Sequence, residues 1–509
     1  MLRSLNVLDI CALSLGAYLL KVYLNSRSDA SKPLPPGPKG APVVGNVADM
    51  PKEKEWLTFA EWGRKFGGIC SVSLLGRPMI ILNTIDALEE FDKKSAIYSE
   101  RPRLEMGGEL VGYSDTLVLM RYGPRFRNYR KGFARYIGNG VVQDRHPLLI
   151  EKTRTFLKHV LKNPEDLIGH LRKLTGGIIL KIAYGYEVQW EGSDPYIDLI
   201  EGANDNFNKA TVPGAFMVDL LPSLKNLPSW VPGTGFLELA KKWKKSTDSM
   251  VEVPFAFTKQ DMAAGSAPPS FVSTSIEHQD ELTESERGDI KFVAASLYGG
   301  GADTTVSAQY AFFLAMVLYP DVQRKIKDEI ETVVGSDRLP NHDDRPNMPY
   351  TNAVISELLR WNSVAPSGVP HVAIEDGFVG GYFIPKDSMI LANLWGILHD
   401  SNVYPDPFTF DPERFIPSPG KEVQRDPRGA CFGFGRRVCP GMYLAEASLF
   451  STVTLSMAVF DVTNALDETG APIVPIHENT SGTISYPKPF KCSIKPRSAK
   501  AVSLITEQA

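Results

Sequence analysis

The sequence has few cysteines and little net charge. These two features argue against a disulfide-rich protein and against a nucleic-acid-binding protein. Its 509 residues include only five cysteines, an odd number, and they are widely scattered: Cys11, Cys70, Cys431, Cys439 and Cys492. This pattern argues against a disulfide framework and favours a reducing compartment around the main domain. The formal net charge of −4 suggests no nucleic-acid partner. Internal repeats and long low-complexity tracts are also absent. With 509 residues, 43% of them hydrophobic, the chain is long enough for one large domain or two.

An apolar run at residues 7–24 is close in length to the roughly 20 residues that span a bilayer. Asp9 and Lys21 lie near its two ends, where an aspartate can sit at the interface and a lysine can snorkel. More basic residues follow the run than precede it, so the positive-inside rule leaves the rest of the chain in the cytoplasm. A cleaved signal peptide is the alternative, although secretion fits the cysteine pattern poorly.

A proline-rich stretch at residues 33–38 follows this run and predicts a stiff, polyproline-like connector. The chain is therefore divided into a membrane anchor at 1–30, a hinge at 31–46 and a single domain at 47–509. Within that domain, two short apolar runs between residues 68 and 84 predict a β-hairpin, and most later segments are typical of helices. We expect a mainly α fold with a small β part.

Cys439 lies between a glycine-rich turn and a predicted helix. Pro440 suits the first position of a helix, and the apolar run at residues 442–460 supplies the helix itself. A cysteine at a helix N-terminus meets unsatisfied N–H groups and the positive end of the helix dipole, and Arg436 and Arg437 add positive charge. Each factor lowers the pKa of a thiol, so we expect Cys439 to be a thiolate.

A thiolate is either a nucleophile or a metal ligand. A cysteine protease needs a histidine base, and no short motif here supplies one. Zinc needs four ligands, and no Cys/His pair completes a set with Cys439 and the nearby Cys431. The option that remains is a single thiolate bound to haem iron, an arrangement that favours O–O cleavage. The alternative is a capped core helix with a buried cysteine.

Residues 432–441 resemble the Phe-x-x-Gly-x-Arg-x-Cys-x-Gly signature of the cytochrome P450 family, with a match at every fixed position: Phe432, Gly435, Arg437, Cys439 and Gly441. The resemblance implies the cytochrome P450 fold, a single large haem domain behind an N-terminal transmembrane helix, with haem b held through Cys439. A narrower similarity, at residues 56–59 and 481–492, is to fungal, membrane-anchored members of secondary metabolism. It implies a single-pass protein of the endoplasmic reticulum membrane.

The same resemblance assigns residues to the haem propionates. Six basic residues and no acidic one occur between residues 121 and 135, where the family has a helix with an aromatic-x-x-x-Arg pair. Arg130 matches that arginine. Phe126 stands where the family usually has a tryptophan; it can pack but cannot donate a hydrogen bond. His371 matches a basic residue that contacts a propionate, and the other basic residues are candidates to dock an acidic electron donor.

A capping signature at residues 283–286 predicts a long helix over 283–319. Three consecutive glycines at 299–301 cost about 1 kcal/mol each, relative to alanine, in a helix interior. They indicate either a flat ligand close to the backbone or a local opening of the helix, and the alternative is a loop between two helices. The resemblance implies that this segment is the family's oxygen-binding motif, formed by Gly300, Gly301, Asp303 and Thr304. Thr304 would donate a hydrogen bond to dioxygen at the iron, and Asp303 would relay protons.

Three further regions resemble structural or pocket elements of the family. Glu357 and Arg360 lie three residues apart on one helix face. Together with Arg414 they resemble the buried Glu-Arg-Arg network of the family, which braces the cysteine loop. The proline-interrupted segment at 207–236 cannot be one long helix, and it resembles the lid over the substrate channel. A turn at 480–485 resembles one that borders the substrate pocket.

The resemblance implies a monooxygenase that inserts one oxygen atom from O2 into a small apolar substrate. Electrons would come from NADPH through a separate reductase, with cytochrome b5 as a second candidate donor, because the chain has no Gly-x-Gly-x-x-Gly fingerprint after a strand. A haem-thiolate isomerase or dehydratase and a non-enzymatic haem sensor or carrier are the alternatives, and Asp303 and Thr304 argue against both. Terpenoids, fatty or aromatic polyketides and indole amines all stay open as substrates.

Overall fold

The computed structural model describes residues 32–277 and 282–507, together with Gly16. Apart from that glycine, the predicted membrane anchor at residues 1–30 lies outside the described residues. Within the described part, one helix is long and apolar enough to cross a membrane, Met442–Val459, and 72% of its residues are buried inside the domain. It packs against several other helices of the domain, as a core helix does.

The domain is mainly helical. Its α-helices, in chain order, are α1 Glu55–Phe66, α2 Ile85–Lys93, α3 Ser95–Tyr98, α4 Pro124–Ile137, α5 His146–Lys162, α6 Leu167–Tyr184, α7 Pro195–Ala210, α8 Met217–Leu220, α9 Gly235–Ala263, α10 Phe271–Ser275, α11 Glu284–Leu318, α12 Pro320–Val333, α13 Pro349–Trp361, α14 Leu394–Leu398, α15 Arg428–Cys431, α16 Met442–Val459 and α17 Ala499–Thr506. A π-helix, Glu105–Leu110, and several short 3-10 helices lie in the connections, among them Pro222–Asn226, Pro412–Phe415 and Gly435–Arg437.

The strands form three small sheets. They are β1 Ile69–Leu74, β2 Arg77–Leu82, β3 His371–Val372, β4 Gly377–Val379, β5 Tyr382–Ile384, β6 Met389–Ala392, β7 Phe460–Leu466, β8 Pro472–Ile473 and β9 Cys492–Pro496. The first sheet has the order β1-β2-β6-β3, β4 and β5 form a hairpin, and the third sheet has the order β8-β7-β9. The predicted hairpin is confirmed as β1 and β2, which pair antiparallel with Ile69 opposite Leu82.

Helix α11 runs through the core of the domain and packs against α6, α7, α9 and α16. It begins at a capping box, in which Thr283 Oγ1 accepts a hydrogen bond from the Glu286 N–H and the Glu286 side chain accepts one from the Thr283 N–H. The helix then continues through residues 299–301 without a break. The prediction of one long helix is confirmed, and the alternative of a loop between two helices is wrong.

The glycines of α11 have different surroundings. A Cβ at Gly301 would lie 2.6 Å from the Ile179 side chain of α6, so glycine at this position lets the two helices approach closely. A Cβ at Gly300 would meet nothing within 4 Å. The sequence suggested two explanations for the three glycines, a flat ligand close to the backbone or a local opening of the helix. The helix does not open locally at these residues. Close packing of α6 on α11 is a third reason, and it explains Gly301.

The segment at residues 207–236 is interrupted, as its prolines predict: α7, α8, a 3-10 helix and α9 follow one another with bends between them. Two contacts fasten this segment to the π-helix. Asp219 Oδ1 accepts a hydrogen bond from the Met106 N–H at 2.9 Å, and Lys225 Nζ lies 2.6 Å from Glu105 Oε2. A π-helix frequently marks a functional region, and here it is where the segment docks.

Replacing Asp219 by asparagine is expected to stabilise the protein above about pH 6. Burial raises the pKa of the Asp219 carboxyl group from 3.8 to about 6, so folding takes up a proton between those pH values. The free energy of unfolding therefore falls as pH rises through that window, by about 3 kcal/mol in total. Asparagine does not titrate, so it removes this pH dependence. Its side-chain oxygen can still accept the hydrogen bond from the Met106 N–H.

Denaturant unfolding at about pH 4 and about pH 7.5 measures this effect. Asp248→Asn on α9 is the matched control, since Asp248 is exposed and pairs only with Lys244 in an i,i+4 ion pair. Its pH dependence should follow that of the unchanged protein. An equal change in both variants would contradict the assignment of a buried charge to Asp219.

Candidate active site

One cavity of about 380 Å³ lies between α4, α11, α16 and the loop that contains Cys439. It is lined by most of the site residues expected from the sequence: Phe126, Arg130, Gly300, Gly301, Asp303, Thr304, His371, Phe432, Arg437, Cys439 and Gly441. Residues of the 480–485 turn line it as well. Four of the expected residues do not line it, namely Gly435, Glu357, Arg360 and Arg414.

The loop before Cys439 is held by its own backbone and by a close neighbour. Gly433 and Gly435 have φ values of 75° and 60°, in the left-handed region that favours glycine. A Cβ at Gly435 would also lie 2.8 Å from Asp92 Oδ1. The Cys439 N–H donates to Phe432 O at 2.8 Å and closes the loop. Gly435 therefore shapes the loop without facing the cavity.

Helix α16 begins at Met442, so the expectation that Pro440 takes its first position is wrong, and the proline precedes the helix. The backbone N–H groups of Gly441 and Met442 and the charge of Arg130 favour the charged form of the Cys439 thiol. Burial outweighs them and raises the pKa of the Cys439 thiol above its ordinary value. The local groups that the sequence indicates are therefore not sufficient to stabilise the predicted thiolate, and a metal cation at the sulfur would supply the missing stabilisation.

Arg436 and Arg437 do not supply the positive charge that was expected at the sulfur. The Arg436 guanidinium lies 4.9 Å from the ring centre of Tyr122. Arg437 donates to two backbone carbonyl groups at 2.7 and 2.8 Å. Arg130 takes the place beside the sulfur, where its Nη1 donates to Val438 O at 2.6 Å. The charge next to Cys439 thus comes from α4 and not from the cysteine loop.

Three arginines line the cavity together: Arg101, Arg130 and Arg437. Arg101, which no motif in the sequence marks, donates to three backbone carbonyl groups at 2.6–2.8 Å. Burial lowers the pKa of all three, that of Arg437 to about 10. Repulsion from a neighbouring arginine adds to the effect at Arg101 and Arg437. The Glu100 carboxylate, 3.3 Å from Arg437, offsets part of this charge. The cavity therefore suits an anionic ligand.

His371 and Phe126 complete this wall without adding charge. The His371 Nδ1–H donates to Tyr98 O at 2.8 Å. Burial and the nearby Arg101 lower the pKa of His371 well below its ordinary value, so the imidazole is neutral. The Phe126 ring centre lies 4.1 Å from the Arg437 guanidinium carbon, a cation–π contact. Phe126 therefore supports Arg437, although it cannot donate a hydrogen bond itself.

Asp303 and Thr304 reach the cavity from the middle of α11. Thr304 Oγ1 donates to Gly300 O at 3.0 Å, a common bond between a helical threonine and the preceding turn. The hydroxyl must turn away from this carbonyl before it can donate into the cavity. The Asp303 carboxyl group accepts a hydrogen bond from the Tyr486 hydroxyl. Burial raises its pKa, which brings the group closer to the range in which a side chain exchanges protons near neutral pH.

Glu357, Arg360 and Arg414 are buried together away from the cavity. Arg360 binds the Glu357 carboxylate through two hydrogen bonds, at 2.6 and 2.7 Å. Arg414 Nε lies 3.3 Å from Glu357 Oε1, and the Asp411 N–H donates to the same oxygen at 2.8 Å. These contacts tie α13 to the 3-10 helix Pro412–Phe415. The arrangement is that of a structural network with no open side for a substrate.

The chain matches known proteins over almost all of its length. The model of the cytochrome P450 family matches residues 35–492. The chain belongs to this family. Cytochrome P450 monooxygenase 208 from Postia placenta is 50% identical over 508 residues, covering 99% of this chain and 98% of the relative. Cytochrome P450 monooxygenase claR from Ampulloclitocybe clavipes is 45% identical over 510 residues, covering 99% and 94%. The chain is thus a cytochrome P450 monooxygenase whose similar relatives are fungal.

The family implies a haem with a cysteine thiolate ligand, and the cavity of this cytochrome P450 fits that group. Cys439 presents its sulfur to the cavity, and the three arginines match the two propionate carboxylates that a haem carries. Across residues 32–277 and 282–507, no group of three or more His, Cys, Asp or Glu side chains is placed to hold a metal ion. Among these residues, no side-chain set suited to the zinc alternative is formed around Cys439.

Replacing Glu357 by alanine is expected to lower the free energy of unfolding by about 3–5 kcal/mol. Arg360 and Arg414 would keep buried charges without their carboxylate partner, which is the costly way to break a buried ion pair. Glu413→Ala is the matched control, because Glu413 forms an exposed ion pair with Lys325 and should lose less than about 1 kcal/mol. Denaturant unfolding followed by circular dichroism measures both variants. Equal losses would contradict a structural role for the network.

Proposed function

We propose that this protein inserts one oxygen atom from O2 into a small apolar substrate, with electrons that come from NADPH through a separate reductase. The observation that carries the proposal is that Cys439, Asp303 and Thr304 all reach one cavity. A haem-thiolate isomerase, dehydratase or carrier needs the cysteine but has no need of a buried acid and alcohol beside it. The names of the relatives, which are monooxygenases, support the same class.

The groups of the cavity have distinct roles in this reaction. Haem, when bound, supplies oxygen activation at its iron. Cys439 would hold that iron, and the three arginines would hold the propionates. The Thr304 hydroxyl would turn from Gly300 O into the cavity, where it could donate a hydrogen bond that orients the oxygen. Asp303 passes protons towards it, and positioned proton transfer of this kind is typically worth about 100- to 10,000-fold in rate.

The substrate class follows from the rest of the cavity wall, which is mainly apolar. Its lining includes Leu117, Val118, Phe207, Val364, Val369 and Ile484. Such a wall excludes water and binds apolar molecules, while a few polar groups fix their orientation. The fungal relatives favour a substrate from secondary metabolism, for which terpenoids, polyketides and indole amines are the classes to test.

A basic surface near the cysteine loop supports the delivery of electrons by a separate protein. The exposed basic residues of this surface are Arg121, Arg127, Lys131 and Arg135, in or next to α4, and Arg436 on the loop itself. An acidic reductase, or cytochrome b5 as a second donor, is electrostatically complementary to such a surface. The apolar run at residues 7–24 supports attachment to the endoplasmic reticulum membrane, with the domain on the cytoplasmic side where the reductase would meet it.

The proposal is tested with haem-loaded protein, a cytochrome P450 reductase, NADPH and a library of small terpenoids and aromatic compounds. We expect substrate-dependent consumption of NADPH and O2, and one atom of labelled oxygen from O2 in the product. An isomerase or dehydratase would form product without NADPH, and a sensor or carrier would form none. Either result would overturn the proposed reaction.

A further inference from the structure

The 480–485 turn, which lines the cavity, and the residue that follows it are hydrogen-bonded directly to α11. The Ser307 hydroxyl donates to Ser485 O at 2.6 Å. One helical turn earlier, the Tyr486 hydroxyl donates to the Asp303 backbone carbonyl at 2.9 Å and also reaches the Asp303 carboxyl group. Residues 303 and 307 lie on the same face of the helix. Two successive contacts therefore bind the segment that ends the 480–485 turn to the helix that carries the acid.

A second residue that acts on the same carboxyl group is also linked to this turn. The side chain of Asn208, on α7, lowers the pKa of Asp303. Its Oδ1 accepts the Ile484 N–H at 3.0 Å. Ile484 and its neighbour Thr483 both line the cavity. The polar side chains that act on the Asp303 carboxyl group thus either directly follow the 480–485 turn, as Tyr486 does, or are hydrogen-bonded to it, as Asn208 is.

We propose that Tyr486 is a positioning residue for Asp303: its hydroxyl sets the orientation of the carboxyl group and links it to the turn that touches the substrate. The inference rests on the proposed function, because it concerns the protons that the monooxygenase reaction consumes. Tyr486 does not line the cavity, so it acts through Asp303 and not on the substrate. A substrate that displaces Thr483 or Ile484 would then move the acid through Tyr486, and proton delivery would depend on an occupied cavity.

The charges around Asp303 determine the sign of the expected effect. Arg172 on α6 lowers the pKa of Asp303, and Asp205 on α7 raises it. Glu201, also on α7, pairs with Arg172 at 3.1 Å. Burial makes the largest contribution and raises the pKa, whereas the Tyr486 hydrogen bond favours the charged carboxylate and lowers it. Loss of the Tyr486 hydroxyl should therefore raise the pKa of Asp303 further.

Tyr486→Phe tests the proposal, because phenylalanine keeps the ring and removes only the hydroxyl. Tyr310→Phe is the matched control. Tyr310 lies on α11, the helix that carries Asp303, and its hydroxyl accepts the Phe490 N–H at 3.2 Å. It therefore also joins α11 to the C-terminal segment. Tyr310 does not line the cavity or contact Asp303. The carboxyl band of Asp303, identified by its loss in Asp303→Asn, is titrated by infrared difference spectroscopy of the resting holoenzyme.

In Tyr486→Phe we expect the midpoint of the carboxyl titration to move to higher pH. The product formed per NADPH should fall roughly fivefold, the loss that one misplaced hydrogen bond typically causes, and the pH profile of product yield should move in the same direction as the titration. Tyr310→Phe should leave the midpoint and the yield unchanged.

An unchanged midpoint in Tyr486→Phe, or an equal change in Tyr310→Phe, would overturn the proposal. A shifted midpoint with an unchanged pH profile of product yield would overturn it too, since Tyr486 would then touch Asp303 without affecting proton delivery. Failure of the proposed function would look different: the unchanged holoenzyme would form no oxygenated product at any pH. In that case the link to proton delivery falls with it, and the infrared titration separately decides whether Tyr486 positions the carboxyl group.

Discussion

Cys439→Ala is expected to abolish the haem-thiolate spectrum of the carbon monoxide complex, whereas Cys431→Ala should leave it intact. Both cysteines line the cavity, and burial raises the pKa of both thiols, so burial does not distinguish them. At Cys439, the backbone N–H groups of Gly441 and Met442 and the charge of Arg130 favour the charged form of the thiol. These groups stabilise the thiolate once a metal cation is bound. The absorption spectrum of the reduced, carbon-monoxide-treated protein measures the difference.

Cys431→Ala is also the control for a general effect of removing a buried thiol from this loop. Circular dichroism of both variants checks that the helical content is kept, so that a lost spectrum reports a lost ligand and not an unfolded chain. A protein in which Cys431 is indispensable and Cys439 is not would contradict the assignment of the iron ligand.

Thr304→Ala is expected to keep the haem content and substrate binding but to lower product formation by about 100-fold or more, the usual value of a positioned proton donor. Thr304 lines the cavity and its hydroxyl donates to Gly300 O of its own helix, so we expect its removal to leave the fold of α11 intact. NADPH should still be consumed, with its electrons diverted to hydrogen peroxide. The ratios of product and peroxide to NADPH oxidised measure this loss of coupling.

Two further variants separate the role of the Thr304 hydroxyl from that of the Asp303 carboxyl group. Thr304→Ser keeps a hydroxyl at the same position and should restore most of the coupling. Asp303→Asn should slow turnover with less peroxide leakage, because the Thr304 hydroxyl still orients the oxygen while the protons arrive slowly. Full coupling and rate in Thr304→Ala would contradict the relay, and the glycine-rich part of α11 would then serve only for close packing.

Local features of this protein follow from short stretches of sequence. The capping box of Thr283 and Glu286 starts α11 where the sequence places it, and the glycines do not interrupt the helix. The β1–β2 hairpin and the interrupted segment at 207–236 also agree with the sequence, since they depend on turn residues and prolines a few positions apart. Glu357 and Arg360 pair because they lie three residues apart on one helix face.

The properties that depend on distant neighbours were decided by the tertiary structure alone. The Tyr486–Asp303 contact joins positions that are 183 residues apart in the chain. Arg101 and Arg437 are also distant in the sequence and line one cavity only in the folded domain. The pKa of Cys439 was expected to fall on local grounds, but desolvation by the whole surrounding core reverses the direction. The need for glycine at position 301 comes from Ile179 on another helix, whose side chain leaves no room for a Cβ.

The physical reason for this division lies in the range of the forces concerned. Caps, turns and helix-face pairs are formed by atoms within one or two turns of the chain, so residue types at fixed spacings determine them. Burial, desolvation and side-chain hydrogen bonds depend on every atom within several ångströms, whatever its place in the sequence. The sequence by itself thus determined the long helix and the family, and it pointed to Cys439 as the candidate ligand. Only the folded chain decided which charged groups line the cavity and which hydroxyl donates to the Asp303 carboxyl group.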